Sequence, residues 1–183
     1  MGDLHHRPAT VLIGLRGSGK TTLGRLLAAR ARVPFIDLDD RTIAGRGHAS
    51  VSAMFRAAGE PAFRAAEARA LAEVLADPAC GGAVIALGGG TPTAPGAREL
   101  LEAARAQGRI RIVLLDAAPA VLAARLAVAP GDRPLLLGAN FAEEAVLLAE
   151  RRMPAYRALA DATVTTDGDT AATLERLLKF APG

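Results

Sequence analysis

Apolar residues along the chain follow two patterns, short continuous runs and longer segments with helical spacing. The continuous runs predict buried strands at residues 9–14, 34–38, 83–87, 111–116 and 162–166. The helical spacing predicts helices at 22–31, 97–107, 119–127, 140–153 and 170–180, and helical pieces within 40–79 broken near Gly45, Gly47 and Gly59. Buried strands that alternate with helices indicate an α/β protein with a parallel sheet covered on both faces. Ligands of such sheets bind at the carboxyl ends of the strands.

Length and composition indicate one globular domain with a core of its own, since the chain has 183 residues of which 51% are hydrophobic. No apolar run approaches the length of a membrane-spanning helix, and the first residues, MGDLHHRPAT, lack the apolar segment of a secretory signal. Cys80 is the only cysteine, which excludes an internal disulfide and fits a reducing cytoplasm. We expect His5 and His6 to belong to a solvated tail rather than a metal site.

The chain is basic, with a net charge of +3 and a pI of about 9.7. A basic chain can bind nucleic acid, but aromatic residues make up only 3% of this one and the arginines are scattered. A small anionic ligand therefore explains the charge better than nucleic acid does.

Residues 14–21 read GLRGSGKT, which is the phosphate-loop pattern G-x-x-x-x-G-K-[ST] between a predicted strand and a predicted helix. Backbone N–H groups of such a loop and the start of the following helix hold phosphate oxygens. Lys20, whose side chain we expect to be exposed, is predicted to reach the β- and γ-phosphates of ATP, and Thr21 to contact Mg²⁺. The loop alone fits kinases, GTPases and ATPase motors, but the guanine-binding N/T-K-x-D pattern is missing from the sequence.

The strand at 83–87 does not end in the acidic residue that usually completes such a Mg²⁺ site, so a carboxylate is expected from elsewhere. Asp37 and Asp39 follow the second predicted strand, and alternate residues of a strand point the same way. One carboxylate could hold the Mg²⁺ water shell and the other could orient a hydroxyl group. The alternative is a helix N-cap formed by Asp39 or Asp40.

Residues 59–67, GEPAFRAAE, predict a helix start, with a glycine before it and a proline in its first turn. Arg64 and Glu67 are three residues apart and can pair on one face of that helix. The pair could aim the guanidinium group at a carboxylate ligand, or it could be an ordinary surface salt bridge. The same two alternatives apply to Arg151 and Arg152 on a later predicted helix: each could contact a ligand or could simply be exposed to solvent.

Three consecutive glycines, Gly88, Gly89 and Gly90, follow the predicted strand at 83–87. Glycine costs backbone entropy on folding and contributes no side chain to a core. Either another group must approach this backbone too closely for any side chain, or the turn requires positive φ angles.

These motifs, in this order, resemble shikimate kinase from about residue 10 to residue 178. The matching segments are GLRGSGKT at 14–21, IDLDD at 36–40, GEPAFRAAE at 59–67, GGG at 88–90, RPLL at 133–136 and the R-x-x-x-Y ending at Tyr156. The resemblance implies a phosphate-loop, nucleoside-monophosphate-kinase-like three-layer fold with five parallel strands in the order 2-3-1-4-5. It also implies transfer of the γ-phosphate of ATP to the 3-hydroxyl of shikimate. We expect a cytoplasmic monomer without nucleic-acid or membrane partners.

The resemblance implies roles for individual residues. Catalysis would rest on Lys20, Asp39 and Arg133, with Asp39 as base or as orienter of the hydroxyl. ATP would contact Gly17, Ser18, Gly19, Lys20, Thr21, Thr22, Arg125 and Arg133, and Mg²⁺ would contact Thr21 and Asp37. Shikimate would contact Asp39, Arg64, Gly88, Gly89, Gly90 and Arg152, with the ring so close to the glycines that a Cβ would displace it.

The resemblance also divides the chain into functional segments. Residues 40–78 would bind the acceptor, 127–140 would form a lid, and 165–170 would border the adenine. Thr91-Pro92 stands where the family often has a small apolar pair, and the first nine residues have no usable counterpart. The alternatives are a related kinase for another hydroxy acid such as gluconate, and a non-catalytic relative that serves as a binding protein.

Overall fold

The structure, a computed structural model, describes residues 7–44, 47–130 and 135–182. Its strands are β1 (Ala9–Ile13), β2 (Phe35–Asp37), β3 (Val84–Ala86), β4 (Ile110–Asp116) and β5 (Ala162–Thr165). Its α-helices are α1 (Lys20–Ala31), α2 (Leu38–Ile43), α3 (Val51–Ala76), α4 (Ala97–Ala106), α5 (Pro119–Val128), α6 (Phe141–Leu159) and α7 (Thr170–Leu177). A short 3₁₀ turn at Thr91–Thr93 follows the three glycines.

The five strands form one parallel sheet in the order β2-β3-β1-β4-β5, which confirms the predicted fold. Val11 of β1 pairs in register with Ile85 of β3 on one side and with Ile112 of β4 on the other. Because β1 and β3 are neighbours, the phosphate loop after β1 and the glycines after β3 leave the same edge of the sheet.

Both faces of the central strands are buried, which explains why these strands read as continuous apolar runs. Val11 and Ile13 point into a core shared with α3, α4 and α6. Leu12, between them, points into a core on the opposite face that is shared with α1 and α7. Among the described residues, no helix is long and apolar enough to cross a membrane.

Helix α6 continues to Leu159, past the predicted end at residue 153 and through Pro154. Proline removes one backbone hydrogen bond and normally disfavours a helix interior. Met153, Tyr156 and Leu159 recur on one buried face, and their burial outweighs that local cost.

Helix α3 is interrupted at Gly59, whose φ of 78° and ψ of 169° are not helical. The break falls where the sequence predicts a helix start, so Pro61 lies in the first turn of the second half of α3. The predicted break at Gly45 lies outside the described residues. The second half of α3 carries Arg64 and Glu67 toward the carboxyl ends of the strands.

Candidate active site

The phosphate loop connects β1 to α1 through backbone conformations that require glycine. Gly17 and Gly19 have φ of 81° and 90°. A Cβ on Gly14, whose φ is 151°, would lie 2.4 Å from the carbonyl oxygen of Leu115. The spacing of glycines seen in the sequence is therefore dictated by the path of the loop and by its contact with β4.

Lys20 is buried inside this loop, so the expectation that its side chain is exposed is wrong. Its Nζ donates hydrogen bonds to the carbonyl oxygens of Gly14 at 2.9 Å and Leu15 at 2.8 Å, and lies 3.5 Å from the hydroxyl of the buried Ser18. Loop carbonyls converge on the ammonium group and replace part of its hydration. The cation is thereby held in the loop that the sequence assigns to phosphate.

Asp37, and not Asp39 or Asp40, caps the short helix α2, because β2 ends at Asp37 and Asp39 already belongs to the helix. The expected alternation of Asp37 and Asp39 along one strand is therefore wrong. Asp37 Oδ1 accepts from the backbone N–H of Asp39 at 3.1 Å, and its Oδ2 accepts from the hydroxyl of Thr21 at 2.9 Å. Thr21 and Asp37 thus place two oxygen ligands of the type Mg²⁺ prefers beside the phosphate loop.

A cavity of about 240 Å³ joins these groups, with Thr21, Asp37, Asp39 and Gly89 among its walls. It is also lined by the predicted nucleotide contacts Gly17, Gly19, Lys20 and Thr22. The two carboxylates, the loop and the glycine segment therefore surround one space, although they come from different parts of the sequence.

A second cavity, of about 270 Å³, continues from the loop between Arg125 and the segment after β5. The guanidinium group of Arg125 donates to the carbonyl oxygen of Gly17 at 3.3 Å and to that of Thr166. Gly168 and Thr170 line the same cavity. The structure thus brings Arg125 and the segment 165–170 to one cavity, and their contact with adenine stays a prediction.

The three glycines are constrained by the protein's own groups. A Cβ on Gly88 would lie 2.3 Å from Glu67 Oε1, and one on Gly90 would lie 2.7 Å from two nitrogens of Arg64. A Cβ on Gly89 would lie 3.2 Å from the backbone nitrogen of Arg16 in the phosphate loop. None of the three has the left-handed φ that the sequence left open as an alternative. Other groups do approach this backbone too closely for a side chain, as the glycines indicated. They are the side chains of Glu67 and Arg64 and the backbone of Arg16, which could not be identified from the sequence.

Arg64 and Glu67 form a buried salt bridge, so the alternative of an ordinary surface pair is wrong. Nη1 of Arg64 lies 2.8 Å from Glu67 Oε2, and the Glu67 side chain is fully buried. The exposed Glu60 also contacts Arg64, at 3.1 Å. Burial lowers the pKa of Arg64, but the charges and hydrogen bonds of Glu67 and Glu60 outweigh it and leave the pKa raised. Arg64 is therefore a fixed cation against the glycine segment.

Arg152 reaches the same segment from α6, whereas its neighbour Arg151 is exposed. Nη1 of Arg152 donates to the carbonyl oxygen of Gly89 at 2.8 Å, and the hydroxyl of Tyr156 donates to the same oxygen at 2.6 Å. Burial raises the pKa of Tyr156 to about 12, against the opposing effect of Arg152 and Arg64. Two arginines from different helices thus meet at consecutive glycines.

Further residues at the site were missed at the level of sequence. Phe55 and Leu148 line a small cavity beside Arg152 and Gly89. Glu144 is buried and accepts from the backbone N–H of Leu136 at 2.5 Å, which ties the last part of the predicted lid to α6. Its place in the first turn of α6 was the only available signal. The predicted lid residue Arg133 lies outside the described residues.

Comparison with known proteins agrees with this geometry. A sequence profile of the shikimate kinase family matches residues 16–182. A shikimate kinase of Thermobifida fusca is 42% identical over 165 residues, which cover 90% of this chain and 88% of the relative. A shikimate kinase of Saccharopolyspora erythraea is 38% identical over 161 residues, which cover 88% of this chain and 86% of the relative. The structure of shikimate kinase from Acinetobacter baumannii in complex with shikimate is 30% identical with a TM-score of 0.83, covering 97% of this chain and 94% of that one. The chain belongs to the shikimate kinase family.

Proposed function

We propose that this chain transfers the γ-phosphate of ATP to the 3-hydroxyl of shikimate, giving shikimate 3-phosphate and ADP. The observation that carries the proposal is the meeting of Arg64 and Arg152 at the glycine segment, beside the phosphate loop and Asp39. Two guanidinium groups beside one another are suited to bind a carboxylate. The related structure from Acinetobacter baumannii contains shikimate, a carboxylate with ring hydroxyls.

In the proposed reaction the acceptor oxygen forms a bond to the γ-phosphorus as the bond from that phosphorus to the bridging oxygen of ADP breaks. Asp39 orients the hydroxyl and takes its proton, or passes it to water, since a loose transition state needs little help from a base. Lys20 stabilises charge on the transferring group. When Mg²⁺ is bound it neutralises phosphate charge, and Thr21 and Asp37 are the residues that would hold it.

The functional segments keep the bounds suggested by the sequence. We assign residues 1–183 to one kinase domain. Within it, residues 40–78 bind the acceptor, which Gly88, Gly89 and Gly90 also line, and residues 127–140 form the lid. Arg125 and the segment 165–170 would border the adenine, supported by the cavity they share. Arg133 stays a prediction from sequence. We further propose a monomer that works in the cytoplasm without nucleic-acid partners.

Two alternatives fit the observations less well. A kinase for gluconate or another hydroxy acid would need the phosphate loop but not a glycine segment flanked by Arg64 and Arg152. A non-catalytic relative would be expected to have lost Lys20, Asp39 or Arg133, and the sequence has all three.

The test is ADP release from ATP and Mg²⁺, measured with shikimate, with gluconate and with no acceptor. We expect release that depends on shikimate and saturates with it. Release with gluconate only would support the related kinase, and shikimate binding without ADP release would support the binding protein.

A further inference from the structure

Beneath the glycine segment, Thr91 makes a contact that the mechanism above does not use. Thr91 is fully buried and begins the 3₁₀ turn after Gly90, and its hydroxyl donates to Glu67 Oε1 at 2.6 Å. The hydroxyl belongs to one of the two residues that depart from the small apolar pair expected after the glycines.

This contact extends a chain of hydrogen bonds that runs from Thr91 through Glu67 to Arg64, a residue proposed to bind the acceptor. One oxygen of Glu67 accepts from Arg64 at 2.8 Å, and the other accepts from Thr91. Because both carboxylate oxygens have a donor, the carboxylate plane is fixed, and the guanidinium plane of Arg64 is fixed with it.

The crowding around Gly88 shows why this orientation matters. The position of a Cβ on Gly88 would be 2.3 Å from Glu67 Oε1, 2.9 Å from Asp39 Oδ1 and 3.0 Å from the hydroxyl oxygen of Thr91. Two carboxylates therefore converge on one point. A hydroxyl donor on Glu67 stabilises its charge there and keeps Glu67 from rotating toward Asp39.

We propose that Thr91 is a positioning residue for acceptor recognition: its hydroxyl holds Glu67 in the orientation that aims Arg64 at the acceptor carboxylate. The proposal rests on the proposed function for the identity of the acceptor. Thr91 touches neither substrate in this scheme and acts only through Glu67 and Arg64.

The test replaces the hydroxyl and keeps the shape. Thr91→Val is nearly isosteric, and we expect it to raise the KM for shikimate about tenfold, the value of one hydrogen bond to a charged group, while the KM for ATP stays unchanged. Thr91→Ser retains the hydroxyl and should restore most of the affinity. Thr10→Val is the matched control, because Thr10 is also buried and its hydroxyl donates to the Phe180 carbonyl at 2.6 Å, at the other end of β1.

A second acceptor separates positioning from general packing. With the carboxamide analogue of shikimate, which offers no carboxylate to Arg64, Thr91→Val and the wild type should have similar KM values. An equal loss with shikimate and with the analogue, or a serine variant as weak as the valine one, would overturn the proposal. If Thr91→Val does not fold, the comparison of Thr91→Ser with Thr91→Ala asks the same question.

The outcomes distinguish this proposal from the proposed function. A wild-type chain that does not turn over shikimate removes the function itself. A wild type that does, together with a Thr91→Val variant of unchanged shikimate KM, removes only the role of Thr91.

Discussion

Lys20 combines two roles at the scale of a single residue. Its ammonium group donates hydrogen bonds to the carbonyl oxygens of Gly14 and Leu15, and the same group is proposed to bind the phosphates of ATP. A residue with both roles cannot be replaced without some cost to the loop as well as to the chemistry.

We therefore expect Lys20→Met to lower kcat by at least about 100-fold, the effect of losing one donor to a transition state. The unfolding free energy should fall by about 1–3 kcal/mol, since two buried carbonyls lose a charged donor. Steady-state ADP release and thermal melts measure the two effects. Lys179→Met, at an exposed lysine, is the control. Near-normal kcat in a folded Lys20→Met enzyme would contradict the assignment of Lys20.

Arg152 and Arg151 are adjacent residues of α6 in opposite environments. Arg152 contacts the carbonyl oxygen of Gly89, whereas Arg151 is exposed. Arg64→Ala and Arg152→Ala should each weaken shikimate binding by about 2–5 kcal/mol, the range for truncating one side of a buried charge pair, without changing ATP binding. Arg151→Ala should change neither. Calorimetric titration with each substrate measures this, and a loss of ATP affinity in Arg152→Ala would place that arginine on the other substrate.

At the scale of elements, the break inside α3 decides where Arg64 and Glu67 point. Gly59 has φ 78° and ψ 169°, a region that residues with a side chain rarely adopt, and among the described residues a Cβ there would meet only Pro61 Cδ, at 3.8 Å. Any cost of a larger residue at this position is therefore backbone strain and not a steric clash.

We expect Gly59→Ala to lower the unfolding free energy by about 1–3 kcal/mol and to raise the KM for shikimate, because relief of the strain redirects the second half of α3. Gly108→Ala is the matched control: Gly108 also has positive φ in open space, but lies between α4 and β4 away from the site. Denaturant unfolding and steady-state kinetics check both. If both variants lose stability but keep the wild-type KM, the break has no part in aiming Arg64.

At the scale of the whole molecule, Tyr156 links α6 to the end of β3 through the Gly89 carbonyl. It is fully buried, and it is the only tyrosine of a chain that has no tryptophan. Its ionisation can therefore be followed in the intact protein without interference from other phenols.

The raised pKa of Tyr156, about 12, makes the stability of the protein fall at high pH. An unfolded tyrosine ionises near pH 10, so the contribution of the buried neutral phenol is present below about pH 10 and is lost between about pH 10 and 12. The loss should approach about 2–3 kcal/mol. Denaturant unfolding across this range should show it in the wild type and not in Tyr156→Phe. A tyrosinate absorbance that titrates near pH 10 in the folded protein would contradict the burial.

Parts of the site that lie within one short segment could be predicted from sequence. The phosphate loop, the break at Gly59 and the pairing of Arg64 with Glu67 depend on residues only a few positions apart. The strand order came from the family resemblance and agrees with the structure.

Other features required the tertiary structure. Whether the Arg64–Glu67 pair is buried depends on what covers α3, and the contact of Tyr156 with Gly89 joins residues 67 positions apart. The reason for the glycines after β3 was likewise hidden, since it lies in the approach of Glu67 and Arg64. The cap of α2 is also Asp37 rather than Asp39 or Asp40, because β2 ends at Asp37, two residues before Asp39.

The difference between the features that could be predicted from sequence and those that could not has a physical cause. Backbone geometry alone sets which residues within about one helical turn can meet, so spacing in the sequence determines local pairs and the need for glycine in a tight loop. Burial, shared hydrogen-bond acceptors and crowding at a missing Cβ depend on which distant segments pack together. Those properties therefore belong to the assembled sheet and helices and were decided only by the tertiary structure.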